Sequence, residues 1–206
     1  MLAGHEQKSE TKSEATRNRI LDVAARMFRE HGYAATTLNE VAKAAALKKG
    51  SLYYHFDSKE QLIEEVLSIG IARVSEAVRA ALVALPGPAA SESKLYAAVE
   101  AHLRSLLELG DYTSAAFRQF GQLPAEVRSR HTLHRQRYAE QWRELLSELQ
   151  AAGDIDSNLD LSRARMFLFG GMNWSMEWFD ADKSPVEEYA AEVCRMFLHG
   201  VRPLDS

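Results

Sequence analysis

The sequence predicts an all-α chain of about nine helices, with a small three-helix head ahead of a larger helical body. Three observations predict it. Apolar residues recur at helical spacing along most of the 206 residues, with capping residues at the starts of the runs. Runs of β-branched residues are few, and five prolines and eleven glycines leave room for long helices. Residues 36–60, TTLNEVAKAAALKKGSLYYHFDSKE, read as two short helices joined by a tight turn. The chain divides into a polar arm over 1–13, a head over 14–60 and a body over 61–206.

The elements follow in order. The first helix is expected over about 14–31, burying Ile20, Leu21, Ala24, Ala25 and Phe28, and Gly32 stops it. Thr37 opens the second, with Glu40 three residues on to complete a capping box. Leu38, Val41, Ala42 and Ala45 then form a narrow stripe of mostly small residues, against which a third helix over about 48–55 can pack steeply. Ser58 and Gln61 open the fourth, which runs to about residue 85 on Leu62, Ile63, Val66, Leu67, Val74, Val78 and Leu82. Pro86-Gly87-Pro88 ends it. Such a helix leaves the head and enters the body. Body helices are expected near 92–110, 113–122, 124–151, 160–180 and 185–200. Asp160 caps the fourth of these. Ser184, Pro185 and Glu187 open the last as cap, first-turn proline and box acid, and Gly200 closes it.

The third helix carries the chemistry of the head. Its first turn presents Lys48, Lys49, Gly50 and Ser51, and its far end Tyr53, Tyr54 and His55. A helix N-terminus favours phosphate through its free N–H groups and dipole. Two lysines add charge, and Gly50 removes a side chain where a DNA backbone comes near. This is the arrangement by which a helix-turn-helix places its recognition helix in a major groove. Lys59, at the start of the next helix, and Thr37, at the start of the second, complete the set of candidate DNA contacts. A single such head reads a half-site, so a homodimer on a palindromic double-stranded operator is expected.

The pattern Arg17-x-x-Ile20-Leu21-x-x-Ala24-Ala25-x-x-Phe28, Gly32-Tyr33-x-x-Thr36-Thr37, Val41-Ala42-x-x-Ala45, Gly50-Ser51-Leu52-Tyr53-Tyr54-His55-Phe56 and Ser58-Lys59-Glu60 resembles the N-terminal domain of TetR-type transcriptional repressors. The resemblance spans about residues 14–65. Two positions depart from it. Ala46 stands where the turn normally has Gly, which predicts a slightly strained turn. Lys48 stands where Ser or Thr is common, giving up a cap worth about 1 kcal/mol for a phosphate contact.

Charge and composition agree with this reading. The net charge of −4 divides into ten basic against eight acidic residues over 1–60 and fifteen against twenty-one over 61–206. The small basic excess lies on the motif, and an acidic body repels DNA elsewhere. No apolar run approaches the roughly 18 residues of a membrane span. The first residues lack the apolar core of a secretion signal, and the single cysteine, Cys194, excludes an internal disulfide framework, so a cytoplasmic protein is expected. Cys194 itself reads as a small buried hydrophobe. There is no Gly-rich phosphate loop, metal set or nucleophile with a placed base, so neither an enzyme nor a cofactor or metal is expected. His131 and His134 sit at i, i+3 without a third ligand and read as solvent-exposed surface, and the run Arg128–Arg137 reads mainly as a solvated face.

In the body, MFLFGGMNWSMEWF over 166–179 places apolar residues almost all the way round one helix. Gly170 and Gly171 each cost about 1 kcal/mol in a helix, so another helix or a ligand must approach there. Resemblance to TetR-type proteins implies that the last two long helices form a four-helix dimer interface. Phe167 and Gly170 then belong to that interface, while Trp174 and Trp178 fit either the interface or a ligand pocket. Tyr138 to Trp178, with Gln141-Trp142-Arg143 and Gly171-x-Asn173-Trp174-x-x-x-Trp178, resembles the ligand domains of members that sense acyl-CoA thioesters. Asp180-Ala181-Asp182 departs from the basic or prolyl residues those members often carry. The resemblance implies a small-molecule effector, most readily an acyl-CoA, against apolar walls from Phe117, Phe120, Trp142, Trp174 and Trp178. Asn173 faces its carbonyl or braces the pocket, and arginines from Arg128 to Arg143 meet its phosphates. A multidrug-sensing repressor of an efflux system is the alternative.

Overall fold

The computed structural model describes residues 11–108 and 110–201, and among them the chain forms nine α-helices, two 3-10 turns and no strand. Most of the expected arm, residues 1–10, lies outside the described residues. α1 (Lys12–Ala35) begins two residues earlier than expected, because Thr11 and Glu14 form a capping box. Gly32 takes φ +84 and breaks the helix, and the chain resumes for one more turn. α2 (Leu38–Ala44) opens on the Thr37–Glu40 capping box, and α3 (Lys49–His55) starts at Lys48 with no side-chain cap. α4 (Lys59–Val83) is capped by Ser58, whose hydroxyl accepts from the Gln61 N–H.

The body comprises α5 (Ser91–Leu107), α6 (Asp111–Arg118), α7 (Ala125–Ala152), α8 (Leu161–Trp174) and α9 (Val186–Val201), with 3-10 turns at Phe120–Gln122 and Ser175–Glu177. The expected single helix over 160–180 therefore ends early. Ser175 is fully buried, and its hydroxyl donates to the Met172 carbonyl, which competes with continuation of the helix. α9 begins after Pro185, and Glu187 in its first turn pairs with Arg104 of α5.

α4 packs along α5 and α6 and also touches α1 and α7, so it is shared by head and body. Its Gly70 makes the α6 contact possible: a Cβ built there would lie 2.8 Å from the Tyr112 carbonyl carbon and 2.9 Å from the Ala116 Cβ. α6 is also bound to the head. The Tyr112 hydroxyl donates to Asp22 Oδ1 at 2.8 Å, and Arg29 pairs with Asp111 at 3.1 Å. Just beyond α6, Gln119 Oε1 accepts from the Tyr33 N–H at 3.0 Å, at the break in α1. No helix among the described residues is long and apolar enough to cross a membrane.

Candidate nucleic-acid interface and ligand cavity

Leu52, fully buried, anchors α3 on α2 and turns the opposite side of the short helix outward. Ala46 in the intervening turn takes φ +53, a conformation that disfavours a Cβ. Lys48, Lys49 and Gly50 are exposed, Ser51 and His55 half-buried, and a Cβ at Gly50 would meet nothing within 4 Å. Tyr54 is 80% exposed, its ring edge-on to His55 at 5.0 Å. Lys49 Nζ lies 5.6 Å over the Tyr53 ring. The candidate residues of α3 thus share one basic and aromatic surface. Two further candidates are partly engaged within the head. The Thr37 hydroxyl donates to Glu40 Oε2 at 2.7 Å and accepts the Glu40 N–H. Lys59 Nζ donates to the Tyr33 carbonyl at 2.9 Å and lies 4.1 Å over its ring.

A cavity of about 430 Å³ opens between α4, α6, α7 and α8. Phe117, Phe120, Tyr138 and Phe169 supply aromatic walls, and Arg135, Arg165 and Asn173 are among its polar groups. The Arg135 guanidinium lies 3.8 Å over the Phe120 ring, and Arg165 lies 5.4 Å over Phe169. Neither arginine has a carboxylate partner among the described residues. Burial lowers the pKa of both, with a further lowering of Arg135 by Arg165 and of Arg165 by Arg143. These are cations held close together without neutralisation. An adjoining groove of about 420 Å³ shares Arg165 and adds Arg143, which pairs with Glu140.

Of the candidate pocket residues, Phe117, Phe120 and Asn173 line the cavity, and the three tryptophans do not. Trp142 is fully buried behind the wall, edge-on to Phe169 at 5.3 Å. Trp174 and Trp178 face outward, 67% and 55% exposed. The reason is the helical turn: with Asn173 facing inward, Trp174 is rotated away by about 100°, and the 3-10 turn then carries Trp178 to the Tyr189 ring at 5.2 Å. Phe167, Gly170, Gly171 and Trp174 fall at i, i+3, i+4 and i+7 and form an exposed apolar stripe. A Cβ at either glycine would meet nothing within 4 Å, so no part of the described chain makes the close approach that two helical glycines suggest.

His131 is also corrected. It is buried, 2% exposed, with its ring 6.0 Å from both Phe120 and His134, and neither ring nitrogen has a partner. Burial, with Arg135 and His134 adding to it, lowers its pKa to about 4. Cys194 is buried, and burial pushes its thiol up to about 12.

The residues that sequence reasoning missed are His102, Arg165 and Phe169. His102 is fully buried, its Nδ1 2.6 Å from Tyr138 Oη and its Nε2 3.1 Å from Asn173 Oδ1. Burial lowers its pKa to about 4, so the ring is neutral. The available signal was a polar residue on the apolar stripe Leu95, Val99, His102, Leu106 of α5.

A helix-turn-helix head joined through one long helix to a cavity-bearing helical body defines a regulator architecture. Residues 20–66 match the model for bacterial regulatory proteins of the tetR family, and residues 88–201 match the tetracyclin repressor-like C-terminal domain. The chain belongs to the tetR family of bacterial regulatory proteins. It is 51% identical over 51 residues to the HTH-type transcriptional repressor KstR2 of Rhodococcus jostii, a match covering 25% of each protein. The matched stretches span about a quarter to a third of the length of the first curated relatives, which are 25% and 32% covered. Among solved structures, the TetR-family regulator PfmR of Thermus thermophilus is similar with a TM-score of 0.74 and 29% identity, over 90% of this chain and 100% of that one. AibR, solved in complex with isovaleryl coenzyme A and operator DNA, is similar in fold with a TM-score of 0.75 and 22% identity, over 92% of this chain and 100% of that one.

Proposed function

We propose that the protein is a cytoplasmic, homodimeric DNA-binding repressor released from a palindromic operator when its body binds an acyl-CoA thioester. The observation that carries the effector reading is the pair Arg135 and Arg165, unneutralised beside an aromatic cavity. Such a site suits an amphipathic anion, since guanidinium groups match phosphate or carboxylate and aromatic walls match an acyl chain. A cavity of about 430 Å³ suits the acyl end of the ligand. The nucleotide phosphates then lie toward Arg165 and Arg143 in the adjoining groove. A hydrophobic cation, as an efflux regulator would bind, meets two like charges here.

Coupling follows from the connection around Gln119. Phe117 and Phe120 line the cavity on either side of it, and Gln119 holds the Tyr33 N–H at the break in α1. Ligand that repacks the two phenylalanines moves the segment on which the head rests. It releases DNA only as far as it prefers the conformation with displaced heads, and tenfold weaker DNA binding requires about 1.4 kcal/mol of that preference.

The test is fluorescence anisotropy of an operator selected from genomic DNA. Lys49→Ala is expected to weaken binding across sequences and reduce the salt slope by about one unit. Tyr54→Ala should lower affinity with unchanged fold. Short, long and aromatic acyl-CoAs are then titrated into the complex. Release by at least one of them supports the effector reading. Release by hydrophobic cationic drugs and by no acyl-CoA refutes it in favour of an efflux regulator.

A further inference from the structure

The cavity has a polar floor that an apolar ligand does not require. Asn173 lines the cavity near the end of α8, yet its carboxamide oxygen is bonded to His102, a fully buried ring that does not line it. The hydrogen-bond inventory of the group is restrictive. A carboxamide oxygen only accepts, so His102 Nε2 carries the proton. A neutral imidazole has one N–H, so Nδ1 accepts, and the Tyr138 hydroxyl at 2.6 Å donates to it. The sequence Tyr138, His102, Asn173 thus runs in one direction and joins α7, α5 and α8. Both imidazole nitrogens are satisfied, and burial keeps the ring uncharged. The Asn173 side chain makes no other hydrogen bond among the described residues, which leaves its two amide N–H groups without partners on a residue that lines the cavity.

We propose that His102 is a positioning residue that turns the Asn173 amide N–H groups toward the cavity, where they donate to the carbonyl oxygen of the bound acyl group. This inference rests on the acyl-CoA reading and adds a selectivity to it. The site discriminates between a chain that begins with a carbonyl and one that does not. The amide is fixed before the ligand arrives, so little ordering accompanies the bond, and an analogue without the carbonyl leaves a donor unpaired in an aromatic cavity. Tyr138 contributes twice, as a wall and as the donor that sets the tautomer of His102.

The experiment compares an acyl-CoA that releases DNA with its S-alkyl-CoA thioether of the same chain length, which lacks only the carbonyl oxygen. Binding to the intact protein is read by isothermal titration calorimetry. The wild type is expected to prefer the thioester about tenfold. In Asn173→Leu the ratio of thioester to thioether affinity should fall to near unity. His102→Leu should also lose most of the preference. His102→Gln, which can still donate to the Asn173 oxygen, should keep more of it than His102→Leu. Should His102→Leu fail to fold by circular dichroism, Asn173→Leu and His102→Gln carry the comparison. Equal binding of the two ligands to the wild type, or an undiminished preference in Asn173→Leu, overturns the inference and leaves the acyl-CoA reading standing. An undiminished preference in a folded His102→Leu overturns the positioning role. Failure of every acyl-CoA of the panel to release DNA overturns the effector reading and this inference with it.

Discussion

Gly70→Ala is a single-methyl change whose sign is set by packing. In an unobstructed helix interior, alanine is favoured over glycine by about 1 kcal/mol. At Gly70 the added Cβ would sit 2.8 Å from the Tyr112 carbonyl carbon and 2.9 Å from the Ala116 Cβ, and closer still to the Tyr112 carbonyl oxygen. Most of those atoms are backbone, so no side-chain rotation relieves the clash, and α4 and α6 must separate. Overpacking of this kind costs about 1–3 kcal/mol, and more where backbone must move. The lost contact exceeds the gain in propensity, and a net destabilisation of about 2 kcal/mol is expected. For a chain of this size that lowers Tm by about 4–8 °C. Urea unfolding at fixed protein concentration, where an unchanged m-value assigns the shift to stability, provides the assay. The same separation would disturb the Tyr112–Asp22 bond to the head, so operator affinity should fall along with stability. A Gly70→Ala protein as stable as the wild type would refute the close approach of α4 and α6.

Two further outcomes are expected. Gly170→Leu meets nothing within its own chain, so its fold and monomer stability should survive, while the apolar stripe it shares with Phe167 and Trp174 can no longer approach a second copy closely. Light scattering should report monomers, and a dimer of unchanged affinity would remove α8 from the interface. The second concerns pH. His102 is held near a pKa of about 4, below the ordinary value of 6.5, so between these values the unfolded chain binds more protons than the folded one. Its contribution is therefore complete above pH 6.5 and is lost as pH falls toward 4. By pH 5 the loss relative to pH 7 is about 2 kcal/mol from this group, and His131 acts in the same direction. Urea titrations at pH 7 and pH 5 measure it, and equal stabilities would contradict a neutral buried His102.

The head was legible because its signals are local. The Thr37–Glu40 box, the stripe of α2 and the stop at Gly32 each involve residues a few positions apart, and the family motif adds a dense set of matches at fixed spacing. Most body helices were legible in number and order for the same reason, Asp160 and Pro86–Pro88 marking a start and an end. Gly70 was not. A helical glycine reads as a small propensity penalty, and nothing nearby announces that the Tyr112 carbonyl will come to rest on it. The break in α8 depends on a buried serine hydroxyl whose burial is itself tertiary.

The cavity was legible in kind and less so in residues, and the tryptophans explain why. Size and aromaticity favoured Trp142, Trp174 and Trp178 as walls, but which side of a helix meets a cavity is settled by neighbours that sequence does not name. Trp142 fills the core where α5, α7 and α8 meet, and Trp174 follows one residue after the inward-facing Asn173. The more informative residues were polar ones in apolar surroundings. His102 lies on a leucine-rich stripe, and burying it unpaired would be costly, so it must find partners. Those partners lie 36 and 71 residues along the chain, at Tyr138 and Asn173. Arg135 and Arg165 are the complementary case: two neighbouring cations without acid partners repel each other, and an anion that neutralised them would remove that repulsion. On the proposed function, binding energy at this site would come partly from relief of repulsion already present in the fold. It would shift the head between two arrangements only as far as that relief differs between them.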